Sequence, residues 1–189
     1  MKTTNMIEGF KVHDLFDYSN GDLIWKARPD HHFCSIGASK TFNTRFSGQI
    51  AGTKSNKSGY AEVRINQRSY AVHRIIYFMF NGIMPDCIDH INMDKCDNRI
   101  ENLRPATLSQ NGINSRNRRN NTSGFKGVSF CKARGKWKAS IKHQYKTITI
   151  GYFDDIKDAA RARKNTEIEM FGEFSSGLEQ ALNTEVAHG

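Results

Sequence analysis

The chain has 189 residues, of which 38% are hydrophobic, and its 28 Lys and Arg outnumber its 19 Asp and Glu to give a formal net charge of +9. This length suits one ordinary domain or two to three small modules. No apolar run approaches the roughly 18 residues that a membrane helix needs, and no apolar signal-peptide core follows Met1. We therefore expect a cytoplasmic protein without a membrane span, in which the four scattered cysteines are reduced.

Residues 8–70 are predicted to form short strands and turns. A Ser-Asn-Gly turn at residues 19–21 precedes an apolar stretch at 22–26, and apolar side chains occupy every second position of 61–65. That period of two is typical of a half-buried strand. Residues 28–47 are polar and unpatterned, which predicts a loop.

A buried helix is predicted from His73 to Asn81, because this stretch is apolar and is followed at once by Gly82. We expect His73 to pack in the core. A role for His73 as a second active-site group is the alternative.

Residues 88–104 are the most informative stretch, with the sequence Ile-Asp-His-Ile-Asn-Met-Asp-Lys-Cys-Asp-Asn-Arg-Ile-Glu-Asn-Leu-Arg. It contains the pair Asp89-His90, then Asn98 eight residues after the histidine and Asn102 four residues later. Asn98 and Asn102 share a face if a short helix begins near residue 98. A strand ending at Asp89-His90, a turn-rich loop and this helix bring Asp89, His90 and Asn102 into one small volume.

These residue types suit the hydrolysis of a phosphodiester. His90 can take a proton from water near neutral pH. Asp89 and the side-chain carbonyl oxygen of Asn102 are ligands of the kind that Mg²⁺ prefers, and such a metal stabilises charge on the phosphate and on the leaving oxygen. The residues therefore predict a magnesium site at Asp89 and Asn102, which Mn²⁺ can also fill.

A strongly basic region follows this stretch. Residues 102–153 contain eleven Lys or Arg and no acidic residue, and the resulting positive field predicts a polyanion as partner. Within it, residues 105–124 are rich in Asn, Ser and Arg, which predicts a basic linker or a polar helix. We expect Arg116, Arg118 and Arg119 to follow DNA phosphates or to enter the minor groove. A disordered tether is the alternative.

The most regular pattern lies in residues 125–175. Apolar and polar side chains alternate in three short segments between residues 128 and 150, as in strands with one buried and one open face. Trp137 lies on the apolar side and is expected in the core. A helix is predicted from an N-cap at Asp155 to about Phe171, so that three strands and one helix share a core and the open face is polar and cationic.

The motif Asp-His-Ile-Asn…Asp-Asn-Arg-Ile-Glu-Asn-Leu-Arg resembles that of HNH endonucleases, in the phage and intron-associated branch whose last His is replaced by Asn. The similarity covers about residues 10–115. It implies a ββα-metal module in which His90 is the general base and Asp89 and Asn102 hold the metal. It also implies that Asn98 braces the loop and orients His90, that a phage or mobile element is the setting, and that zinc or nickel is disfavoured.

A second resemblance covers about residues 122–175, where Gly-Val…Gly-Lys-Trp-Lys-Ala-Ser-Ile…Gly-Tyr-Phe is similar to the APETALA2/ethylene-response (AP2/ERF) DNA-binding domain. It implies a three-stranded sheet packed on one helix, with the open face of the sheet in the major groove of DNA. The positions that contact bases and phosphates in that family correspond here to Lys126, Ser129, Cys131, Ser140, Lys142, Thr147 and Thr149. The basic stretch itself adds Lys136 and Lys138 as expected DNA contacts.

Together these features predict an α+β chain. A ββα-metal (HNH) nuclease module at 1–104 precedes a basic polar linker at 105–124, a three-stranded antiparallel sheet packed on one helix at 125–175, and a tail at 176–189. We expect a metal-dependent, homing-type endonuclease that acts on double-stranded DNA, nicking one strand as a monomer or cutting both as a dimer. The alternative is a non-catalytic, sequence-specific DNA-binding regulator that keeps the HNH fold as a scaffold.

Overall fold

A computed structural model describes residues 6–115 and 121–175. The chain divides into two compact units, with the boundary between Pro105 and Ala106. Within the described residues, no helix has the length and apolar character that crossing a bilayer requires. Three of the predicted DNA contacts lie outside the described residues, namely Arg116, Arg118 and Arg119. The predicted tail at 176–189 lies outside them as well.

Short strands and three helices build the first unit. The strands are β1 (Met6–Ile7), β2 (Phe10–Lys11), β3 (Phe16–Ser19), β4 (Asp22–Trp25), β5 (Thr53–Lys54), β6 (Ala61–Ile65), β7 (Arg68–Ala71), β8 (Cys87–His90) and β9 (Leu103–Ala106). The helices are α1 (Val12–Leu15), α2 (Ile36–Phe46) and α3 (Val72–Asn81). The strands pair as β1–β2, β3–β4, β5–β6–β7 and β8–β9.

Helix α3 supplies much of the first unit's core. The helix predicted for residues 73–81 is confirmed and begins one residue earlier. Ile75 and Ile76 are fully buried, and Gly82 ends the helix in the left-handed conformation that glycine adopts without strain. The apolar residues packed in the same core include Val12, Leu15, Phe16, Leu23, Val63, Val72 and Ile88.

Residues 28–47 were predicted to form a loop, and this prediction is wrong, because they contain helix α2. Ser35 caps the helix by accepting a hydrogen bond from the first turn. Asn43 accepts the backbone N–H of Arg28 at 2.8 Å and donates to the Arg28 carbonyl at 2.9 Å. Ser39 is the one fully buried residue of α2, so the helix lacks the apolar stripe that identifies helices in a sequence.

The second unit contains a three-stranded antiparallel sheet with a helix packed on it. Its strands are β10 (Val128–Cys131), β11 (Lys136–His143) and β12 (Lys146–Phe153), which pair in that order. Its helices are α4 (Leu108–Ile113) and α5 (Ile156–Phe171). Asp155 caps α5 as predicted, and Val128, Ala139 and Ala159 pack in the core between sheet and helix.

A β-bulge in β12 changes which side chains share a face of this sheet. The register shifts by one residue between Ala139 and Ser140, which leaves Ile150 as the extra residue of the bulged strand. Beyond the bulge, Tyr152 lies opposite Lys138. Tyr152 therefore joins the polar face, whereas an unbroken alternation along β12 would assign it to the apolar face.

The segment 105–124, predicted as a linker or a polar helix, contains the six-residue helix α4. Thr107 accepts the backbone N–H of Gln110 at 3.2 Å, and the Gln110 side chain accepts the backbone N–H of Thr107 at 2.7 Å. This reciprocal pair is a capping box. Its Thr-x-x-Gln signature was the signal in the sequence that a helix begins there.

A buried ion pair links α5 to the sheet. Arg163 Nη1 donates to Glu167 Oε2 at 2.8 Å, and Arg163 Nε donates to the carbonyl of Ser140 at 3.0 Å. The second Glu167 oxygen accepts from Ser175 Oγ at 2.8 Å. Burial raises the pKa of Glu167, but the Ser175 hydrogen bond and the charges of Arg163 and Lys164 outweigh it and hold that pKa below its usual value. These contacts explain why two charged residues interrupt the apolar side of α5.

Replacing Arg163 by Met should destabilise the second unit by about 3–5 kcal/mol, because it leaves the buried carboxylate of Glu167 without its main partner. Arg161→Met is the matched control on the same helix, since the Arg161–Asp158 pair is exposed and such pairs contribute only about 0–1 kcal/mol. Urea unfolding followed by the fluorescence of Trp137 measures both effects. Equal losses of unfolding free energy in the two variants would contradict the structural role given to the buried pair.

Candidate active site

Strand β8 carries the Asp89-His90 pair into the core of the first unit. Asp89 is 2% exposed and His90 is 4% exposed. The main chain turns immediately afterwards, where the N–H of Met93 donates to the His90 carbonyl at 2.9 Å and the N–H of Ile91 donates to the Asn102 carbonyl at 3.0 Å. The pair thus stands at the end of a strand, next to the loop of residues 91–98, which we call the site loop.

Asn98 holds the ring of His90. The Nε2 atom of His90 lies 3.1 Å from Oδ1 of Asn98, and both side chains are buried. Because an amide oxygen only accepts hydrogen bonds, this contact suits the tautomer of His90 that carries its hydrogen on Nε2. This contact is suited to the orienting role that the family resemblance implies for Asn98.

Asn102 braces the site loop from its far end. Its Nδ2 donates to Oδ1 of Asn92 at 3.0 Å and to the carbonyl of Asp97 at 2.7 Å, and its Oδ1 accepts the N–H of Asn92 at 3.0 Å. The prediction that a helix begins near Asn98 is wrong. The chain forms only a 3₁₀ turn ending at Asn102, because the loop is held by these side-chain bonds instead of by helical ones.

Arg104 on β9 pairs with the buried carboxylate of Asp89. Its Nε and Nη2 atoms donate to Oδ2 of Asp89 at 3.0 and 2.8 Å. Two charge-assisted hydrogen bonds fix the position of the carboxylate and offset the cost of its burial. The sequence analysis did not identify Arg104, although its place at the end of the motif, on the strand that pairs with β8, was the available signal.

The predicted metal ligands differ in how well they fit a divalent cation. Among the described residues, no group of three or more His, Cys, Asp and Glu side chains could hold a metal. Mg²⁺ does not need such a cage, since one or two carboxylates with water and substrate phosphates suffice, and Asp89 supplies a carboxylate. The amide of Asn102, by contrast, already bonds the site loop through its oxygen and both of its hydrogens.

Tyr60 and His73 flank the ring of His90. The ring centroids lie 5.0 Å apart for His73 and His90, and 5.8 Å apart for Tyr60 and His90. Within the described part of the chain, the buried Nδ1 of His73 has no hydrogen-bond partner. Burial and the neighbouring His90 lower the pKa of His73 to about 3, so that its ring is neutral. The sequence analysis did not assign Tyr60 to the site, because this residue precedes β6 and is far along the chain from the motif.

The open face of the second unit's sheet carries most of the predicted DNA contacts. The pairing of β10, β11 and β12 places on it Ser129, Cys131, Lys136, Lys138, Ser140, Lys142, Thr147 and Thr149. Lys136 forms an ion pair with Asp154 at 3.1 Å. The sequence analysis missed Tyr152, whose ring centroid lies 4.4 Å from the guanidinium carbon of Arg134.

Lys126 has a different environment from the other predicted DNA contacts. Its ammonium donates to the carbonyls of Gly112, Ile113 and Ser115 at 2.6 to 2.9 Å, at the C-terminal end of α4. Burial lowers the pKa of Lys126 to about 8. A cation is favourable at a helix C-terminus, so this lysine stabilises the second unit.

The chain is similar to nucleases and to viral proteins. The model of the HNH endonuclease family matches residues 70–113, a segment that begins just before α3 and ends with α4. Protein 3.8 of Escherichia phage T7 is 30% identical over 105 residues, which cover 54% of this chain and 86% of that protein. The uncharacterized HNH endonuclease L560 of Acanthamoeba polyphaga mimivirus is 32% identical over 123 residues, which cover 64% of this chain and 63% of that protein. No solved structure matches the chain.

The buried His73 should make the first unit sensitive to acid. Its native pKa of about 3 lies below its ordinary value of 6.5, so between these values the unfolded chain binds a proton that the native state excludes. The free energy of unfolding should be highest above about pH 6.5 and should fall by up to ~1.4 kcal/mol per pH unit below it. Urea unfolding across this range, followed by the fluorescence of Trp25, measures the effect.

His73→Phe should remove this fall of the unfolding free energy at acidic pH, whereas the control His31→Phe, at an exposed position, should retain it. An unchanged pH dependence in His73→Phe would show that another group is responsible.

Proposed function

We propose that this chain, which belongs to the same family as Protein 3.8 of Escherichia phage T7 and carries an HNH endonuclease domain at residues 70–113, is a metal-dependent DNA endonuclease. The observation that carries the proposal is the contact between the buried side chains of His90 and Asn98, 3.1 Å apart, with the buried Asp89 preceding His90 in the chain. A histidine held at one nitrogen and a carboxylate are groups that metal-assisted phosphodiester hydrolysis uses.

His90 is the general base in this proposal. With Asn98 accepting the hydrogen on Nε2, Nδ1 is the nitrogen to which we assign the proton from the attacking water. When Nδ1 becomes protonated, the same Asn98 oxygen stabilises the imidazolium, because a hydrogen bond from a charged donor is stronger than one from a neutral donor. Asn98 therefore supports both protonation states of the base.

Asp89 is the protein group that we assign to the metal, which is Mg²⁺ or Mn²⁺. A divalent cation held there would offset the negative charge that develops on the phosphate and on the leaving oxygen. Arg104 holds the carboxylate in place. Asn102, the second ligand expected from the sequence, is assigned to the site loop, because its amide is fully engaged there.

The sheet of the second unit is proposed to bind double-stranded DNA through its open face. Lys138 and Lys142 lie on this face together with four Ser or Thr hydroxyls and Tyr152, and α5 covers the opposite face. A cationic, polar sheet surface of this kind fits the AP2/ERF-like role expected from the sequence. With one candidate site and one such sheet in the part of the chain that the structure describes, we propose a homing-type enzyme that nicks DNA as a monomer.

Nicking of supercoiled plasmid DNA tests the nuclease proposal. With Mg²⁺, the wild type should produce open circles that disappear with a chelator, and His90→Ala should be about 10²–10⁴-fold slower, as expected for loss of a general base. Salt-sensitive DNA binding should persist in the variant. His31→Ala, at an exposed histidine, is the control and should cut like the wild type.

Two outcomes would contradict the proposal. Equal cutting by His90→Ala and the wild type would show that His90 is not the base. DNA binding without cutting by the wild type, with either Mg²⁺ or Mn²⁺, would favour a non-catalytic regulator that keeps the HNH fold as a scaffold.

The DNA-binding role of the sheet predicts that Lys138→Met/Lys142→Met weakens binding to duplex DNA of any sequence, because phosphate contacts are independent of base identity. A loss of about tenfold, or ~1.4 kcal/mol, is expected for two such contacts. Lys157→Met is the control, since Lys157 is exposed on α5, which packs on the other face. A fluorescence-anisotropy titration measures the affinities, and equal affinity in both variants would exclude this face as the binding surface.

A further inference from the structure

Lys95 lies on the site loop and contacts the turn that precedes β6. Its ammonium donates to the carbonyl of Ser58 at 3.1 Å and lies 4.4 Å from the centroid of the Tyr60 ring. The next residue, Cys96, approaches the Gly59 carbonyl at 3.8 Å through its sulfur. The loop and the turn are therefore joined at two adjacent positions, and the lysine side chain has a defined location.

Tyr60 connects this lysine to the proposed general base. One Tyr60 ring contacts the Lys95 ammonium at 4.4 Å, the His90 ring at 5.8 Å and the His73 ring at 4.8 Å between centroids. A cation above an aromatic face is attracted by the negative charge density of the ring. Tyr60 thus contacts both a positive charge and the ring of His90.

Two carboxylates of the site loop and its flanks form ion pairs with arginines. Asp97 forms an ion pair with Arg99 at 2.7 Å, and Asp89 pairs with Arg104 at 2.8 Å. Asp94 accepts the backbone N–H of Cys96 at 2.9 Å. Lys95 is exposed and forms no ion pair with any described residue. An ammonium has three hydrogens, and the contact with Ser58 uses one.

We infer that Lys95, positioned on Tyr60, contacts a phosphate of the DNA strand that is cut. This inference rests on the proposed nuclease function and adds a phosphate-contacting residue to it. A lysine acts on phosphate as a point charge, and a positive charge beside the base holds the phosphodiester next to His90. The contact is independent of sequence, because the backbone is the same at every base pair.

The test is the salt dependence of DNA binding by the full-length chain, measured by anisotropy with a labelled duplex of arbitrary sequence in the presence of a chelator. Lys95→Met keeps an aliphatic side chain of similar length and removes the charge. The plot of the logarithm of the binding constant against the logarithm of the salt concentration has a negative slope, which should become less steep by about 0.9. Lys95→Arg should restore the slope. Lys40→Met, at an exposed position of α2, removes the same charge elsewhere and should leave the slope unchanged.

The outcomes separate this inference from the proposed function. A smaller slope in Lys95→Met with rescue by Lys95→Arg supports the phosphate contact. A wild-type slope in Lys95→Met, or a lower melting temperature without a change of slope, overturns it and leaves Lys95 as a structural clamp. If the wild type binds DNA but never cuts it, the nuclease proposal fails while the slope still decides the role of Lys95.

Discussion

The hydrogen bonds from the Asn102 side chain to the site loop are the constraint on which the candidate active site depends. They bond the amide to Asn92 and to the carbonyl of Asp97, so the path of the chain between β8 and β9 is fixed. With that path fixed, Asn98 reaches the His90 ring and Lys95 reaches the turn before β6. One amide therefore fixes the loop that carries both Asn98, which contacts the proposed general base, and Lys95.

The second unit depends on a comparable polar contact inside an otherwise apolar core. Arg163 binds the Ser140 carbonyl in β11 and the carboxylate of Glu167 on its own helix. Gly127 lies beside this pair, where an added Cβ would stand 2.6 Å from Arg163 Nε. The buried charges, the sheet carbonyl and the glycine thus specify one docking of helix against sheet, which an apolar core alone would leave less defined.

The sequence predicts the helices and strands in which apolar residues recur at regular spacing. It does not predict the segments in which polar side chains determine the path of the chain. Helices α3 and α5 and strands β10 to β12 follow from apolar spacing and from end signals such as Gly82 and Asp155. Helix α2 lacks an apolar stripe, so only its packing reveals it. Asp89, His90, Asn98 and Asn102 stay the predicted site, and the structure brings His90 and Asn98 within 3.1 Å of each other. The contacts of Asn98 and Asn102 could not be derived, because in a loop the direction of a side chain does not follow from sequence spacing.

The bulge at Ile150 limits how the length of β12 can change. Side chains of a strand alternate between two faces, so removal of one residue exchanges the faces of everything beyond it. Ile150 is the exception, because it is the extra residue of the bulge: its deletion would let β12 pair without a bulge and would leave Tyr152 opposite Lys138 and Phe153 opposite Trp137. Strand β12 can therefore lose this one residue without exchanging the faces of the residues beyond it.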